Sequence, residues 1–164
     1  MESCPTVQRR RRWVWLGGVA GVGLVATAVW LPPFLPEAWQ GVLMAVFSPA
    51  CHQLPARSPH LDGVQLAVCD RCLGIYLGVF GGVLLAGLLQ PVGAWMKNVG
   101  RYLLLGALVP LSIDWIAPLI GLWSNTPITR GATGALFGLV AAAFTMTTLL
   151  RRVQGTPSPS ATQA

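Results

Sequence analysis

Four apolar stretches dominate the chain, from about Trp13 to Leu31, Cys69 to Leu89, Tyr102 to Leu122 and Gly131 to Leu150. Each is near the ~20 residues that a helix needs to cross a bilayer. Pro32-Pro33 ends the first stretch and Gln90-Pro91 ends the second. Charged residues make up 10% of the 164 residues, against about 25% in a soluble domain. The expected fold class is therefore all-α, a polytopic membrane protein of about four transmembrane helices. The reading divides the chain into a basic N-terminus (1–12), a membrane domain (13–150) with a large outer loop (32–68), and a disordered tail (151–164) rich in proline and small polar residues.

The net charge is +6, yet its distribution argues against a nucleic-acid surface, which stays a remote alternative to topology signals. Arg9, Arg10, Arg11, Arg12, Lys97, Arg101, Arg151 and Arg152 flank the apolar stretches, with no basic stripe interleaved with aromatics. With the N-terminus inside, these eight face the cytoplasm, and only Arg57, Arg71 and Arg130 face the other side. The positive-inside rule then places both termini in the cytoplasm of a multi-pass protein of the inner (plasma) membrane, with the lipid bilayer as its partner. The four arginines, the apolar run and Ala26-Thr27-Ala28 also resemble a cleavable secretory signal. Continuation of the run through Val29, Trp30 and Leu31 favours an uncleaved anchor. In the outer loop, Glu37 to Phe47 is apolar enough for a short interfacial helix, with Trp39 at headgroup depth.

Cysteine placement carries most of the chemistry. Cys4 falls in the cytoplasmic tail, whereas Cys51, Cys69 and Cys72 all fall outside. Cys69-Asp-Arg-Cys72 is a CxxC at the mouth of the second span, and His52 follows Cys51 directly. Thiolate and imidazole are the ligands that hold zinc tetrahedrally, so Cys51, His52, Cys69 and Cys72 form the candidate metal set, with His60 as a substitute for His52. A CxxC at a helix start also suits disulfide exchange in an oxidising compartment. A plain structural disulfide with one spare thiol is the third reading.

Asp114 is an intramembrane carboxylate, which normally faces the bundle interior with a partner. Pro110 and Pro118 flank it by four residues on each side and free backbone carbonyls. Arg71 and Arg130 are the candidate partners. Arg130 is favoured, because it opens the fourth span and can point down along it, while Arg71 is placed to neutralise the thiolates. Glycines four apart (Gly17 and Gly21; Gly74, Gly78 and Gly82; Gly134 and Gly138) point to close helix packing.

The stretch Cys51 to Gly78 resembles a bacterial and archaeal family of small membrane proteins classed as a domain of unknown function. The resemblance lies in Cys51-His52-Gln53, then Arg57-Ser58, then Cys69, Arg71, Cys72, Gly74, Tyr76 and Gly78. A second block, Pro110 to Gly138, is similar to the family's later part through Pro110, Asp114, Ser124, Asn125, Arg130, Gly134 and Gly138. Trp115 departs from that pattern, where glycine is expected, and this bears on packing beside the carboxylate. The resemblance implies fold and location and supplies no activity.

Together these readings give a membrane protein with an outward-facing metal site of zinc type. A polar group of Arg57, Arg71, Asp114, Ser124, Asn125 and Arg130 surrounds it. The alternatives are a membrane thiol–disulfide oxidoreductase and a small transporter subunit. Four helices would need a homo-oligomer or a larger membrane complex for alternating access. No serine-nucleophile elbow, phosphate loop or HExxH helix assigns a reaction.

Overall fold

The computed structural model describes residues 5–88 and 90–155, with side chains excluded for 90–98 and 154–155. Cys4 and the tail beyond Gly155 lie outside the described residues. Five α-helices follow in order: α1 (Pro5–Ala28), α2 (Glu37–Phe47), α3 (Asp70–Leu88), α4 (Gln90–Ile116) and α5 (Pro127–Gly155). Between α2 and α3 lies a two-stranded antiparallel hairpin, β1 (His60–Leu61) and β2 (Val64–Gln65). Its two-residue turn is Asp62-Gly63, both at positive φ (51° and 82°). Asp-Gly favours this mirror-image turn because its twist matches that of the strands.

Among the described residues, three helices are long and apolar enough to cross a membrane: α3, residues 99–116 of α4 and Pro127–Val153 of α5. The expected fourth, α1, falls short on composition. Its helix closes at Ala28, so the apolar run from Trp13 is diluted by Arg11 and Arg12 within any span-length window. Val29, Trp30 and Leu31 leave the helix, and Val29 is fully buried beneath the segment that joins α1 to α3. α1 nonetheless packs on the bundle, where the Trp15 indole N–H donates to the Val83 carbonyl at 2.9 Å.

The centre of the bundle is the α3–α5 seam. A Cβ placed on Gly74, Gly78 or Gly82 would collide with the backbone of Gly131, Ala135 or Leu139. One on Gly134 or Gly138 would collide with the carbonyl of Arg71 or Ile75. Small residues on both helices thus bring the two backbones into contact, where van der Waals packing drives association in lipid. Gly17 and Gly21 have nothing near them. The expected packing role fails there because that face of α1 points away from the bundle; Gly18, against Met146, takes the contact instead.

Several boundaries differ from expectation for local reasons. α4 stops at Ile116 because Pro118 cannot donate a backbone hydrogen bond to Asp114. The following turn closes with the Leu122 amide on the Ala117 carbonyl and Gly121 at φ +72°. α5 begins at Pro127, four residues earlier than expected. Thr126 and Thr129 cap each other, amide to hydroxyl, at 3.0 and 3.2 Å, and Pro127 supplies the first helical turn. α5 also continues past Leu150 to Gly155, so the first residues of the expected disordered tail are helical.

Candidate metal centre

Two chain segments must meet to form the sulfur cluster. Cys69 immediately precedes α3, and Cys72 lies in its first turn. Cys51 arrives from the end of α2, its amide bonded to the Phe47 carbonyl at 3.0 Å. Gln53 sets the return. With φ 50°, it turns the chain, and its side-chain amide donates to the carbonyls of Met44 (2.9 Å) and Ala67 (2.7 Å). The Gln65 side chain in turn donates to the Gln53 carbonyl at 2.8 Å. These bonds staple the α2 end to the strand leading into α3.

The result is a compact triangle. The Sγ atoms of Cys51, Cys69 and Cys72 all lie within 4.8 Å of one another, and all three residues are free thiols. The Cys69 amide donates to Cys51 Sγ at 3.2 Å, so this sulfur sits at the N-terminus of α3, where a helix stabilises negative charge. Cys51 is buried on an apolar floor of Val29, Phe47, Ala67 and Val68, with Tyr76 edge-on to Phe47 at 5.8 Å. A hydrogen bond from the Cys72 side chain, helped by the amides of Cys72 and Arg71, pulls the Cys69 thiol from 9.0 down to about 5, against the opposing effect of burial. These contacts favour the thiolate of Cys69, the form that binds metal and attacks disulfides.

His52 is a correction to the expected ligand set. It is exposed and does not join the sulfurs, because its neighbour Cys51 already points inward. His60 is likewise exposed, on β1. The group able to hold a metal among the described residues is the three cysteines alone.

Beside the sulfurs runs a chain of polar contacts. Arg71 pairs with Asp114, which is 2% exposed, through both the carboxylate and the Asp114 carbonyl. Asn125 also donates to that carbonyl, at 2.9 Å. This is the oxygen that Pro118 leaves without a helical donor. Arg130 donates to the Asn125 side chain at 2.8 Å and to its carbonyl at 3.0 Å, and pairs with Asp70 at 2.8 Å. Since Asp70 and Arg71 are neighbours, the contacts close a ring of two carboxylates, two guanidinium groups and one amide. The ring ties α3, α4 and α5 together.

The expected Arg130–Asp114 pair is thus overturned. Asp114 lies within the last turn of α4, level with the start of α3, and Arg71 reaches it first. Arg130 turns to Asp70, a residue that sequence reasoning missed; its one signal was an acid in the first turn of a helix, where the macrodipole favours it. Arg57 and Ser124 are exposed and take no part in the ring. Two buried atoms of the ring, Arg71 Nε and Asp114 Oδ1, lack a protein partner.

Comparison with known proteins adds the family. The model described as "Predicted membrane protein (DUF2085)" matches residues 51–144. The chain belongs to this family. Within DUF2085, the matched region opens on Cys51 and closes inside α5, so it holds all three sulfurs and the complete ring, and leaves out α1 and α2. The chain is similar to "Uncharacterized protein MJ1492" of Methanocaldococcus jannaschii, at 38% identity over 96 residues, covering 58% of this chain and 61% of the relative. It is also similar to an "Uncharacterized protein" of Methanothermobacter thermautotrophicus, at 37% identity over 95 residues, covering 58% of this chain and 83% of the relative. The chain thus spans about three-fifths of the length of the first of these relatives. No solved structure matches. In this DUF2085 member the fold and the family agree on a helical membrane protein, and its three cysteines lie close enough together that they could hold a metal ion.

Proposed function

We propose that this DUF2085 protein is a multi-pass protein of the plasma (inner) membrane that holds a thiophilic metal ion, zinc foremost, on Cys51, Cys69 and Cys72 at its non-cytoplasmic face. The carrying observation is the three free sulfurs within 4.8 Å of one another, drawn from two separate segments. Zn–S bonds of about 2.3 Å place tetrahedral sulfurs about 3.8 Å apart, so the triangle needs little contraction. Three protein ligands leave a fourth position open to water or an exogenous ligand. The Cys69 thiolate and the helix N-terminus beneath Cys51 supply the negative charge and the site for it.

The sidedness rests on charge. Arg11 and Arg12 of α1 and Leu150 of α5 line one cleft, which supports a common side for the two termini. Under the positive-inside rule that side is the cytoplasm, and α1 then serves as the fourth span.

Metal content measured on detergent-purified protein, with free thiols counted in parallel, tests the proposal. About one equivalent of zinc, with thiols shielded until a chelator is added, is the expected result. Metal-free protein whose thiols react at once contradicts it.

A second reading has its own support. Cys69 with its lowered pKa, followed three residues later by Cys72, suits thiol–disulfide exchange. Cys69 would attack a partner disulfide, and Cys72 would resolve the mixed disulfide, leaving a Cys69–Cys72 disulfide and two partner thiols. Metal-free protein that reduces a disulfide substrate, and loses this ability in Cys72→Ser, would favour it. The transporter reading rests on Asp114, whose carboxylate is engaged by Arg71, and no observation favours it.

A further inference from the structure

At the opposite end of the bundle from the sulfurs, a cleft of about 450 Å³ opens between α1, α3 and α5. Gln8, Arg11, Arg12 and Trp15 line it from α1, Gly87 from α3 and Leu150 from α5. The four α1 residues stand at i, i+3, i+4 and i+7, which is one face of a helix. Of the four consecutive arginines, Arg11 and Arg12 line the cleft, Arg11 half-buried and Arg12 exposed at its rim, while Arg9 and Arg10 lie on other faces of α1.

Among the described residues no acid lines the cleft: Glu37, Asp62, Asp70 and Asp114 belong to the segment between α1 and α3 or to the helix ends beside it. Arg152 stands in the last turn of α5, two residues beyond Leu150. The floor of the cleft is apolar and fixed. Trp15 is wedged so tightly over Gly87 that a Cβ there would overlap the indole, and Leu150 is buried. The position is interfacial, since the apolar run of α1 starts at Trp13. A basic mouth, a rigid tryptophan and an apolar floor at a membrane boundary match a phosphate group carried on an acyl chain.

We propose that this cleft binds the phosphate of an anionic phospholipid headgroup through Arg11 and Arg12, with Gln8 as a further donor and the first acyl carbons against Trp15 and Leu150. This inference is independent of the metal reading.

The test is thermal unfolding of the full chain in detergent, with phosphatidylglycerol, phosphatidylcholine or inorganic phosphate added in separate arms. Phosphatidylglycerol raises the Tm, and phosphatidylcholine does not. Arg11→Gln and Arg12→Gln each weaken the apparent affinity about fivefold, the scale of one basic residue near an anionic surface. Arg9→Gln, outside the cleft, weakens it less than either. Inorganic phosphate that reproduces the whole shift, lost in the same two variants, supports the anion site and assigns it to soluble phosphate. Equal shifts with both lipids, or an Arg9→Gln loss equal to that of Arg11→Gln, overturn the proposal. If a variant fails to fold, native mass spectrometry of co-purified lipid on the unsubstituted chain decides: retained phosphatidylglycerol supports the site, and an absence of anionic lipid overturns it.

Discussion

At Cys69 several donors converge on one sulfur: the Cys72 side chain first, then the amide of Cys72, the Cys51 side chain and the amide of Arg71. Stabilising the charged form lowers an acid's pKa, so the thiolate persists from 9.0 down to about 5. The alkylation rate of Cys69 in metal-free protein should therefore stay nearly flat between pH 9 and 6 and halve near pH 5. An ordinary thiol would lose about tenfold per unit below its pKa of about 8.5. Trypsin releases Ser58–Arg71 carrying Cys69 as its sole cysteine, so mass spectrometry can read this rate alone. A break near pH 8 to 9 would show that the hydrogen bond from Cys72 is absent. A second residue-scale prediction concerns Asp114. Removing one partner of a buried ion pair costs about 3–5 kcal/mol, so Arg71→Gln and Asp114→Asn should each lower folded stability on that scale and couple strongly in a double-mutant cycle. Arg130→Gln should couple to Asp70→Asn instead. Independence of Arg71 and Asp114 would overturn the pairing. The presence of a partner for Asp114 was legible from its place in an apolar stretch. Its identity was not, because it depends on where α4 ends, and Pro118 ends it only two residues after Asp114. The same uncertainty hid Asp70. His52 failed as a ligand for a similar reason, since adjacent residues rarely face one point and the backbone gives Cys51 the inward position.

On the scale of elements, the glycine seam shows what spacing can and cannot say. Gly74, Gly78 and Gly82 and their counterparts Gly134 and Gly138 were visible as repeats, and they do pack together. Gly17 and Gly21 have the same spacing and face open space, because spacing defines a helix face without saying what lies across from it. Gly78→Leu should therefore abolish most folded protein in detergent, since the Cβ alone meets the Ala135 backbone. Gly17→Leu should be tolerated within about 0.5 kcal/mol, as is usual for an uncrowded site. Fluorescence size-exclusion yield compares the two, and similar yields would mean that the seam is not as close as described. The short helix α2 matched its expected bounds, Glu37–Phe47, because proline and glutamate mark its start and its apolar run is uninterrupted. The β1–β2 hairpin escaped notice, since two-residue strands are too short to show alternation, although Asp62-Gly63 was a readable turn signal.

The whole molecule joins a helical bundle, a sulfur triangle at one end and a basic cleft at the other. The sequence showed a helical membrane protein through its hydropathy, and a cysteine cluster through CxxC and Cys51. The convergence of Cys51 with the pair required long-range bonds from Gln53 to Met44 and Ala67, which no local pattern encodes. If the termini share the cytoplasm, a membrane-impermeant maleimide applied to intact cells should label Asp62→Cys in the outer hairpin and spare Ala161→Cys in the tail, in a background lacking the native cysteines. The reverse pattern would place the sulfurs in the reducing cytosol. The central claim, a metal on three thiolates, is tested most directly by X-ray absorption at the zinc edge of the purified protein. The account predicts about three sulfur scatterers near 2.3 Å and one lighter atom, with sulfur scatterers lost in Cys51→Ser. A shell of nitrogen and oxygen alone, or sulfur scattering unchanged by Cys51→Ser, would contradict it.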